Sequence, residues 1–479
     1  MTHCSVLPRR NERSAVKWSA MTRSEFLRLM SASPLALTGS AAPVKRPNIV
    51  LVLADDLGYG DLGCYGQTRV ETPNLDRMAG EGMRFSQAYA GSTVCAPSRC
   101  CLMTGYHTGH ARTRGNKYPD LPLRPEDITV TEVLKKAGYR TALFGKWSLG
   151  QLGSTGYPTR KGFDEWFGFF SQLHAHSYYP EHLLENETAY ICRGNMGTQK
   201  KDYASDLFTQ RALRFVGTQT AAQPFFLHLC YTTPHANNEM GRDTGNGMEV
   251  PSDAPYTNKP WPQQEKNFAA MITRMDADIG RLMNAIRQRG FDDDTLVIFA
   301  SDNGPHKEGG HAPSFFESSG PLRGIKRDMF EGGIRVPMLA RWPGRIKAGS
   351  VNTMPVAFWD FLPTAAELAG AEAPLGIDGQ SIVPTLLGRS QKPHDYFYWE
   401  FHESGFHQAV RTGNWKGIRL GPREPVALYD LEVDPGERNN IAAQHPDVVR
   451  RITDILASAR TDAVEWPVLT PAEAKKRAI

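Results

Sequence analysis

The chain has 479 residues, 40% of them hydrophobic and 22% charged, which is long enough to bury one large core and a smaller second one. Lys and Arg number 55 against 51 Asp and Glu, a net charge of +4 that is too small to make nucleic acid the expected partner. With 44 Gly and 33 Pro, the chain should carry many sharply punctuated loops of the kind that present chemistry from a rigid scaffold.

Residues 1–43 read as a basic extension and export signal. Arg9, Arg10, Arg13, Lys17, Arg23 and Arg28 precede a short apolar stretch, Leu29 to Ala42, that ends in small residues. Thr22 to Arg28 resembles a twin-arginine signal in which the second arginine is Ser24, and Met21 is an alternative start. The other reading is a disordered basic tail. The expectation is an exported protein, periplasmic or extracellular, with no stable membrane span, because no stretch reaches the ~20 apolar residues a spanning helix needs. Seven cysteines, two of them adjacent at Cys100 and Cys101, argue against a disulfide framework. Cys64, Cys192 and Cys230 suit buried apolar positions.

From Asn48 onward, apolar runs alternate with amphipathic ones. Asn48 to Ala54 is continuous enough for a strand buried on both faces, and Asp55 and Asp56 follow it directly. A helix ending near Gly82 leads to a strand from Met83 to Ala90. A second helix, Thr131 to Ala137, stops at Gly138 before the strand Thr141 to Phe144. Pro224 to Leu229 is a further strand, and the amphipathic stretch Lys266 to Arg289 feeds Thr295 to Ala300, where Ser301-Asp302-Asn303-Gly304 breaks the run. This alternation predicts an α/β fold. Ligands of such sheets bind beyond the carboxyl ends of the strands, where Asp55, Asp56, Lys146, His235, Asp302 and Asn303 all fall. From about residue 380, short strands at 396–401, 408–420 and 427–431 and a helix at 447–460 predict a small antiparallel sheet with one covering helix. The expected division is a catalytic domain over 44–378 and a small domain over 379–479.

Three carboxylates and an amide oxygen, from Asp55, Asp56, Asp302 and Asn303, are hard donors that suit Ca²⁺ or Mg²⁺ and not Zn²⁺. Either pair alone could simply cap a turn. Cys95-Ala96-Pro97-Ser98-Arg99, followed by Cys100-Cys101-Leu102-Met103-Thr104-Gly105, resembles the signature of type I sulfatases, members of the alkaline phosphatase superfamily in which this cysteine is oxidised to formylglycine. Ala54 to Asp61, Thr72 to Asp76, Gly145-Lys146-Trp147, Thr232-Thr233-Pro234-His235, Ser301 to Gly304, Leu322 to Lys326 and Glu331 to Pro337 occur in that family's order, and the resemblance covers roughly residues 46 to 440.

The resemblance implies a large, mixed, mostly parallel sheet sandwiched by helices, with a smaller C-terminal antiparallel sheet plus helix. Asp55, Asp56, Asp302 and Asn303 would hold one calcium ion, with modified Cys95 beside it. Arg99 and Lys146 would neutralise the aldehyde hydrate and sulfate oxygens, Lys326 would clamp the sulfate from the other side, and His235 would protonate the leaving alcohol. A formylglycine-generating or sulfatase-maturating enzyme would be a partner. The chemistry is sensible on general grounds. A sulfate ester is an anionic, poor electrophile, so attack by an oxyanion requires cations around the developing charge. A plain hydroxyl would be trapped as a stable ester, whereas an aldehyde hydrate can collapse and expel sulfate. Cys95 is expected near the start of a helix beginning at about Ser98, where backbone N–H groups favour anions.

One position departs from the pattern. Where relatives carry the histidine thought to serve as base for expelling sulfate, this chain has Ser148, whose pKa is too high to replace it unaided. His306, His311 or a water held by Ser148 are the candidate substitutes. A second patch, Gln172 to Pro180, contains His174 and His176 among aromatics, a composition that suits sugar recognition or plain packing, and it looks like that of bacterial carbohydrate sulfatases related to arylsulfatase and N-acetylgalactosamine sulfatases. The expected substrate is a sulfated carbohydrate or aryl sulfate. The rivals are a phosphatase or phosphonate hydrolase of the same superfamily, which the context of Cys95 disfavours, and a degenerate homologue that binds sulfated glycan without turning it over.

Overall fold

The computed structural model describes residues 46–477; the expected export signal lies outside them. Eleven strands form the main sheet: β1 (Asn48–Asp55), β2 (Met83–Tyr89), β3 (Arg140–Gly145), β4 (Glu165–Gly168), β5 (His182–Glu185), β6 (Thr188–Ile191), β7 (Phe225–Pro234), β8 (Thr295–Ser301), β9 (Arg335–Arg341), β10 (Ser350–Asn352) and β11 (Val356–Ala357). Their order is β10-β2-β9-β8-β1-β7-β3-β4-β5-β6, with β11 also on β2. The centre, β8-β1-β7-β3-β4, is parallel. β9 runs against both β2 and β8, and β5 and β6 form an antiparallel hairpin at one edge, which makes the sheet mixed as expected.

β1 explains why helices cover both faces. Its side chains alternate, and all eight are buried, so Ile49, Leu51 and Leu53 enter one core while Val50, Val52 and Ala54 enter the other. Leu75, Phe208, Phe215, Phe268 and Ile279 close the second core from the helices Pro73–Glu81, Ala204–Thr218 and Gln263–Gln288. Cys100, Leu102, Leu134 and Leu362 close the first from Cys95–Thr104, Val130–Lys136 and Phe361–Ala369. Among the described residues all six cysteines are unpaired, and no helix is long and apolar enough to cross a membrane.

The second sheet is a four-stranded antiparallel meander, β12 (Phe397–Phe401), β13 (His407–Thr412), β14 (Trp415–Arg419) and β15 (Ala427–Asp430). The run expected as one strand over 408–420 is two, because Gly413 takes a left-handed φ of 56° and turns the chain back. One face of this sheet, through Trp399, Phe401 and Ile418, joins the first core of the main sheet. The other, through Tyr398, Val410 and Leu428, is covered by Ile452 and Leu456 of the helix Pro446–Ser458.

A buried ionic group ties the two sheets together. Lys416 on β14 lies 2.9 Å from Glu331 Oε1, to which it donates a hydrogen bond, and 2.9 Å from Glu437 Oε1 without hydrogen-bond alignment. Glu437 Oε2 also accepts the Glu331 backbone N–H at 2.6 Å. Burial pushes Glu437 up to about 7, while Lys416 overcomes burial at Glu331 and holds it low, at about 2. We expect Lys416→Met to cost about 3–5 kcal/mol in urea unfolding, since it strands a buried carboxylate. Between the ordinary glutamate pKa of 4.5 and about 7, the folded chain binds a proton at Glu437 that the unfolded chain has released, so this group's contribution to stability falls as pH rises. Glu437→Gln should therefore flatten the decline in Tm across that window.

Candidate active site

The carboxyl ends of β1, β3, β7 and β8 meet beside the helix Cys95–Thr104. A register shift between Leu53 and Asp55 ends the regular pairing of β1 with β7, and Asp56 then adopts φ 65°, which turns two consecutive carboxylates toward one space. Gly145 ends β3 with φ 115°, and a Cβ there would lie 1.8 Å from the Cys230 carbonyl oxygen, so only glycine lets the chain turn and deliver Lys146. At Gly304 a Cβ would lie 1.9 Å from Gly332 O, and Gly304 N–H donates to Gly333 O at 3.0 Å. The Asp302-Asn303-Gly304 turn is thereby seated against Glu331-Gly332-Gly333.

The helix that carries Cys95 begins at Cys95 itself, three residues earlier than expected. Pro97 has no N–H to lose in the first turn, and the Ala96 N–H is met by Asn116 Oδ1 at 3.1 Å, so the helix extends back without a side-chain cap from Val94. Arg99 follows one turn later on the same face.

Every nearby ionisable group is locked to another. Asp55 Oδ1 lies 3.2 Å from Cys95 Sγ, and Asp55 Oδ2 accepts Lys146 Nζ at 2.6 Å. Arg99 donates through Nε and Nη2 to Asp302 Oδ2 at 3.0 and 2.8 Å, and through Nη1 to the Lys146 carbonyl at 2.8 Å. Lys326 Nζ donates to Asp56 Oδ2 at 2.7 Å and lies 3.3 Å from Glu308 Oε2. Arg99 and Lys326 are thus buried members of one cluster and not surface cations. His235 Nδ1 meets the Ala236 carbonyl at 2.7 Å, which leaves Nε2 facing Asp56 Oδ2 at 3.6 Å and Glu308 Oε2 at 3.9 Å. Polar atoms of Asp55, Asp56, Cys95 and His235 all lie within 4.8 Å of one another.

Burial alone would raise Asp55, yet Lys146, His235 and Arg99 hold its carboxyl far below the usual range. Asp302 is different: burial, reinforced by Asp55, pushes it up to about 7. Asn303 Nδ2 donates to Asp56 Oδ1 at 2.7 Å, while Asn303 Oδ1 is buried without a partner. Three hard carboxylates and an orphaned amide oxygen fit a Ca²⁺-like ion. Burial, then Asp55, raises the Cys95 thiol well above its ordinary value, and burial with Lys326 lowers His235 well below its own.

A cleft of about 440 Å³ reaches the cluster at His235 and Lys326 and is walled by Asn116, Tyr118, Gln172 and His176, with Arg327 and Glu403 opposite. The other three candidate histidines are committed elsewhere. His306 stands near Asp56, but its Nδ1 accepts the Glu308 N–H at 3.0 Å and its Nε2 meets the Pro234 carbonyl at 3.0 Å, so no ring nitrogen remains for a base. His311 is bound to Glu265 at 2.7 Å and stacked on Phe268 at 3.7 Å. His174 accepts the Phe170 N–H at 3.0 Å and stacks on His182. Ser148, with φ 69°, donates its hydroxyl to Gln172 Oε1. Glu308 escaped sequence reasoning, although it lies between His306 and His311; its only signal was that neighbourhood. A second cluster, His107, His110 and Asp378, is a structural knot: Asp378 accepts the His107 N–H at 3.0 Å, and His107 Nδ1 accepts the Gly109 N–H, which fixes the tautomer.

A mixed, mostly parallel sheet with carboxylates and cations interlocked at its carboxyl edge defines the alkaline-phosphatase-like class of ester hydrolases. Comparison specifies the family. The family model described as Sulfatase matches residues 47–371, and that described as N-sulphoglucosamine sulphohydrolase, C-terminal, matches 325–462. The chain is 33% identical to Homo sapiens arylsulfatase A over 90% of its own length and 91% of the relative's. It is 30% identical to Canis lupus familiaris N-acetylgalactosamine-6-sulfatase over 91% and 90%. The crystal structure of Ps i-CgsB in complex with k-i-k-neocarrahexaose is similar with a TM-score of 0.77 at 26% identity, covering 90% of this chain and 97% of that one. The chain belongs to the sulfatase family and is a sulfuric ester hydrolase.

The commitment of His306 to two backbone groups carries a consequence for stability. His306→Ala should cost about 1–3 kcal/mol in chemical denaturation, because it leaves the Glu308 N–H and the Pro234 carbonyl without partners.

Proposed function

We propose that this sulfatase is exported and removes sulfate from a sulfated glycan, using calcium held by Asp55, Asp56, Asp302 and Asn303 and a formylglycine made from Cys95 by a maturation enzyme. The observation that carries this reading is the thiol of Cys95, buried 3.2 Å from Asp55 within a cage of Arg99, Lys146 and Lys326. A thiol whose ionisation is so strongly disfavoured by burial is a poor nucleophile as it stands. Bound in the site, calcium supplies positive charge to the sulfate oxygens, and formylglycine supplies the oxygen nucleophile that the thiol cannot.

The remaining work falls to the side chains. Three acids against three cations balance, so a divalent ion leaves a surplus of positive charge for an anionic ester. Arg99 and Lys146 stabilise charge on the nucleophile's side of sulfur, and Lys326 does so from the opposite side. His235 offers Nε2 to the leaving oxygen; its Nδ1–H is held by the Ala236 carbonyl, so Nε2 first takes a proton from water in the cleft, and because burial and Lys326 disfavour the imidazolium that form is a strong acid toward an alkoxide. Polar groups and the exposed ring of Tyr118 along the cleft suit a pyranose; His176 lines the cleft, and Ser148 reaches it through the Gln172 side chain. The names of the relatives, an N-acetylgalactosamine-6-sulfatase and a neocarrahexaose complex, favour a carbohydrate ester.

When the chain is produced with a formylglycine-generating enzyme, peptide mass spectrometry should find Cys95 converted, and Cys95→Ala should lose sulfate release from aryl sulfates and sulfated sugars by at least about 10³-fold. Unchanged release in that variant would falsify the assignment. Calcium at about 100 times its Kd should stabilise the fold by about 2.7 kcal/mol. Asp302→Asn should abolish most of that gain in a thermal melt, and an equal calcium response in the variant would place the ion elsewhere.

A further inference from the structure

Ser148 leaves the site one histidine short of its family's pattern; both ring nitrogens of His306 are bonded, and His311, with Nδ1 held by Glu265 and its ring stacked on Phe268, does not line the cleft. His176 is differently placed. Its ring lies on His235 with centroids 5.1 Å apart and planes within 20°, and it walls the inner cleft. Its Nδ1 is 2.9 Å from Glu239 Oε2. A carboxylate can only accept, so Nδ1 carries the proton in that bond and Nε2 keeps its lone pair. A carboxylate that fixes the tautomer of an imidazole and stabilises its protonated form is the arrangement by which histidine serves as a base.

The loop that carries His176 is joined directly to position 148. Ser148 donates its hydroxyl to Gln172 Oε1, and Gln172 begins the turn that ends in the short helical segment His174–His176. The Gln172 backbone N–H is held in turn by Asp120 Oδ2 at 3.0 Å. The Gln172 side chain meets the short serine at 148 and so ties this loop to the segment that follows Lys146. Burial, and then Lys146, keep the His176 ring neutral before reaction, so the lone pair is available.

We propose that His176, oriented by Glu239, is the second proton-transfer residue of this site and does the work of the histidine that Ser148 replaces. This rests on the sulfatase reading above. As sulfate departs, the hydroxyl proton on the Cys95-derived group passes through a water in the cleft to Nε2 of His176, whose ring stacks on the His235 ring beside Cys95. The electron pair of that O–H bond forms the carbonyl, and the pair of the breaking C–O bond leaves with sulfate. The proton then passes from Nε2 to water in the cleft. Glu239 remains a carboxylate throughout and acts as a positioning residue.

The test uses the converted, calcium-loaded enzyme with an aryl sulfate or a sulfated sugar. His176→Ala should lower kcat by about 10²- to 10⁴-fold with KM changed less than about threefold. Adding Ser148→His to that variant should restore kcat at least about tenfold, which a purely structural role for His176 would not allow. Glu239 is partly exposed, so Glu239→Gln keeps the fold, and it should lower kcat about tenfold or more. A readout free of turnover is nitrogen NMR of the unconverted protein, in which His176 should be the Nδ1–H tautomer and should lose that preference in Glu239→Gln. Retained kcat in His176→Ala, failure of Ser148→His to rescue, or an Nε2–H tautomer would each overturn the proposal while leaving the sulfatase reading intact. A converted wild-type enzyme that released no sulfate from any ester would overturn both.

Discussion

The structure depends on an interlock of opposite charges buried at the carboxyl edge of the central strands. Asp55, Asp56 and Asp302 have no exposed surface, and each touches a cation that is itself almost wholly buried. Isolated in a low-dielectric interior, any of these groups would cost several kcal/mol. They are tolerated because each charge is met at hydrogen-bonding distance and because the neighbouring backbone contributes: Asp302 Oδ1 accepts the Asp56 N–H, and Arg99 donates to the Lys146 carbonyl. Such an arrangement is rigid. Rotating one side chain away would strand its partner, so the cluster is preorganised for a ligand that brings charge of its own.

That rigidity is transmitted by backbone contacts that side chains larger than hydrogen would prevent. Lys146 is delivered by a glycine pressed on Cys230 O, and Asn303 by a turn whose glycine is pressed on Gly332 O. The second contact joins the active edge to Glu331, the same residue that pairs with Lys416 of the small sheet. Two buried ionic groups, one chemical in purpose and one architectural, are therefore linked through four residues of chain. The antiparallel meander, through Lys416 on Glu331, braces the segment that supports Asp302 and Asn303.

Much of this was legible in the sequence because the signals were local. An uninterrupted apolar run marked β1, the break after it placed two acids at a strand end, and Gly82, Gly138 and Gly290 fell beside the helix ends. The α/β class, the mixed sheet and the convergence of Asp55, Asp56, Cys95, Arg99, Lys146, His235, Asp302, Asn303 and Lys326 all emerge in the structure. What was not legible was set by tertiary context. The β5–β6 hairpin is short and only partly buried, so it lacks a strong period-two pattern. The helix starting at Cys95 contains Pro97, which reads as a later start until the cap from Asn116 is known. His306 and His311 looked like bases because they lie near the Asp302-Asn303 turn in sequence. The Pro234 carbonyl and the Glu308 N–H occupy both nitrogens of His306, and Glu265 and the Phe268 ring hold His311 away from the cleft walls; no local pattern encodes those contacts.

The environment of Cys95 is adverse to a plain cysteine acting as the nucleophile, which supports the proposed conversion. Low-pKa thiols sit where positive charge outweighs negative and some solvent remains. Cys95 has cations within reach, but those cations are already paired with Asp55, Asp56 and Asp302, and Asp55 is the nearest polar contact of the sulfur. For a thiolate this is an adverse site, with burial and an adjacent carboxylate both acting against ionisation. For an oxygen nucleophile held together with a divalent ion the balance would reverse, because Asp55, Asp56 and Asp302 would hold the ion and Arg99, Lys146 and Lys326 would be left to face the anion. The same side chains that hold the thiol inert are those that would make an oxyanion stable at that position.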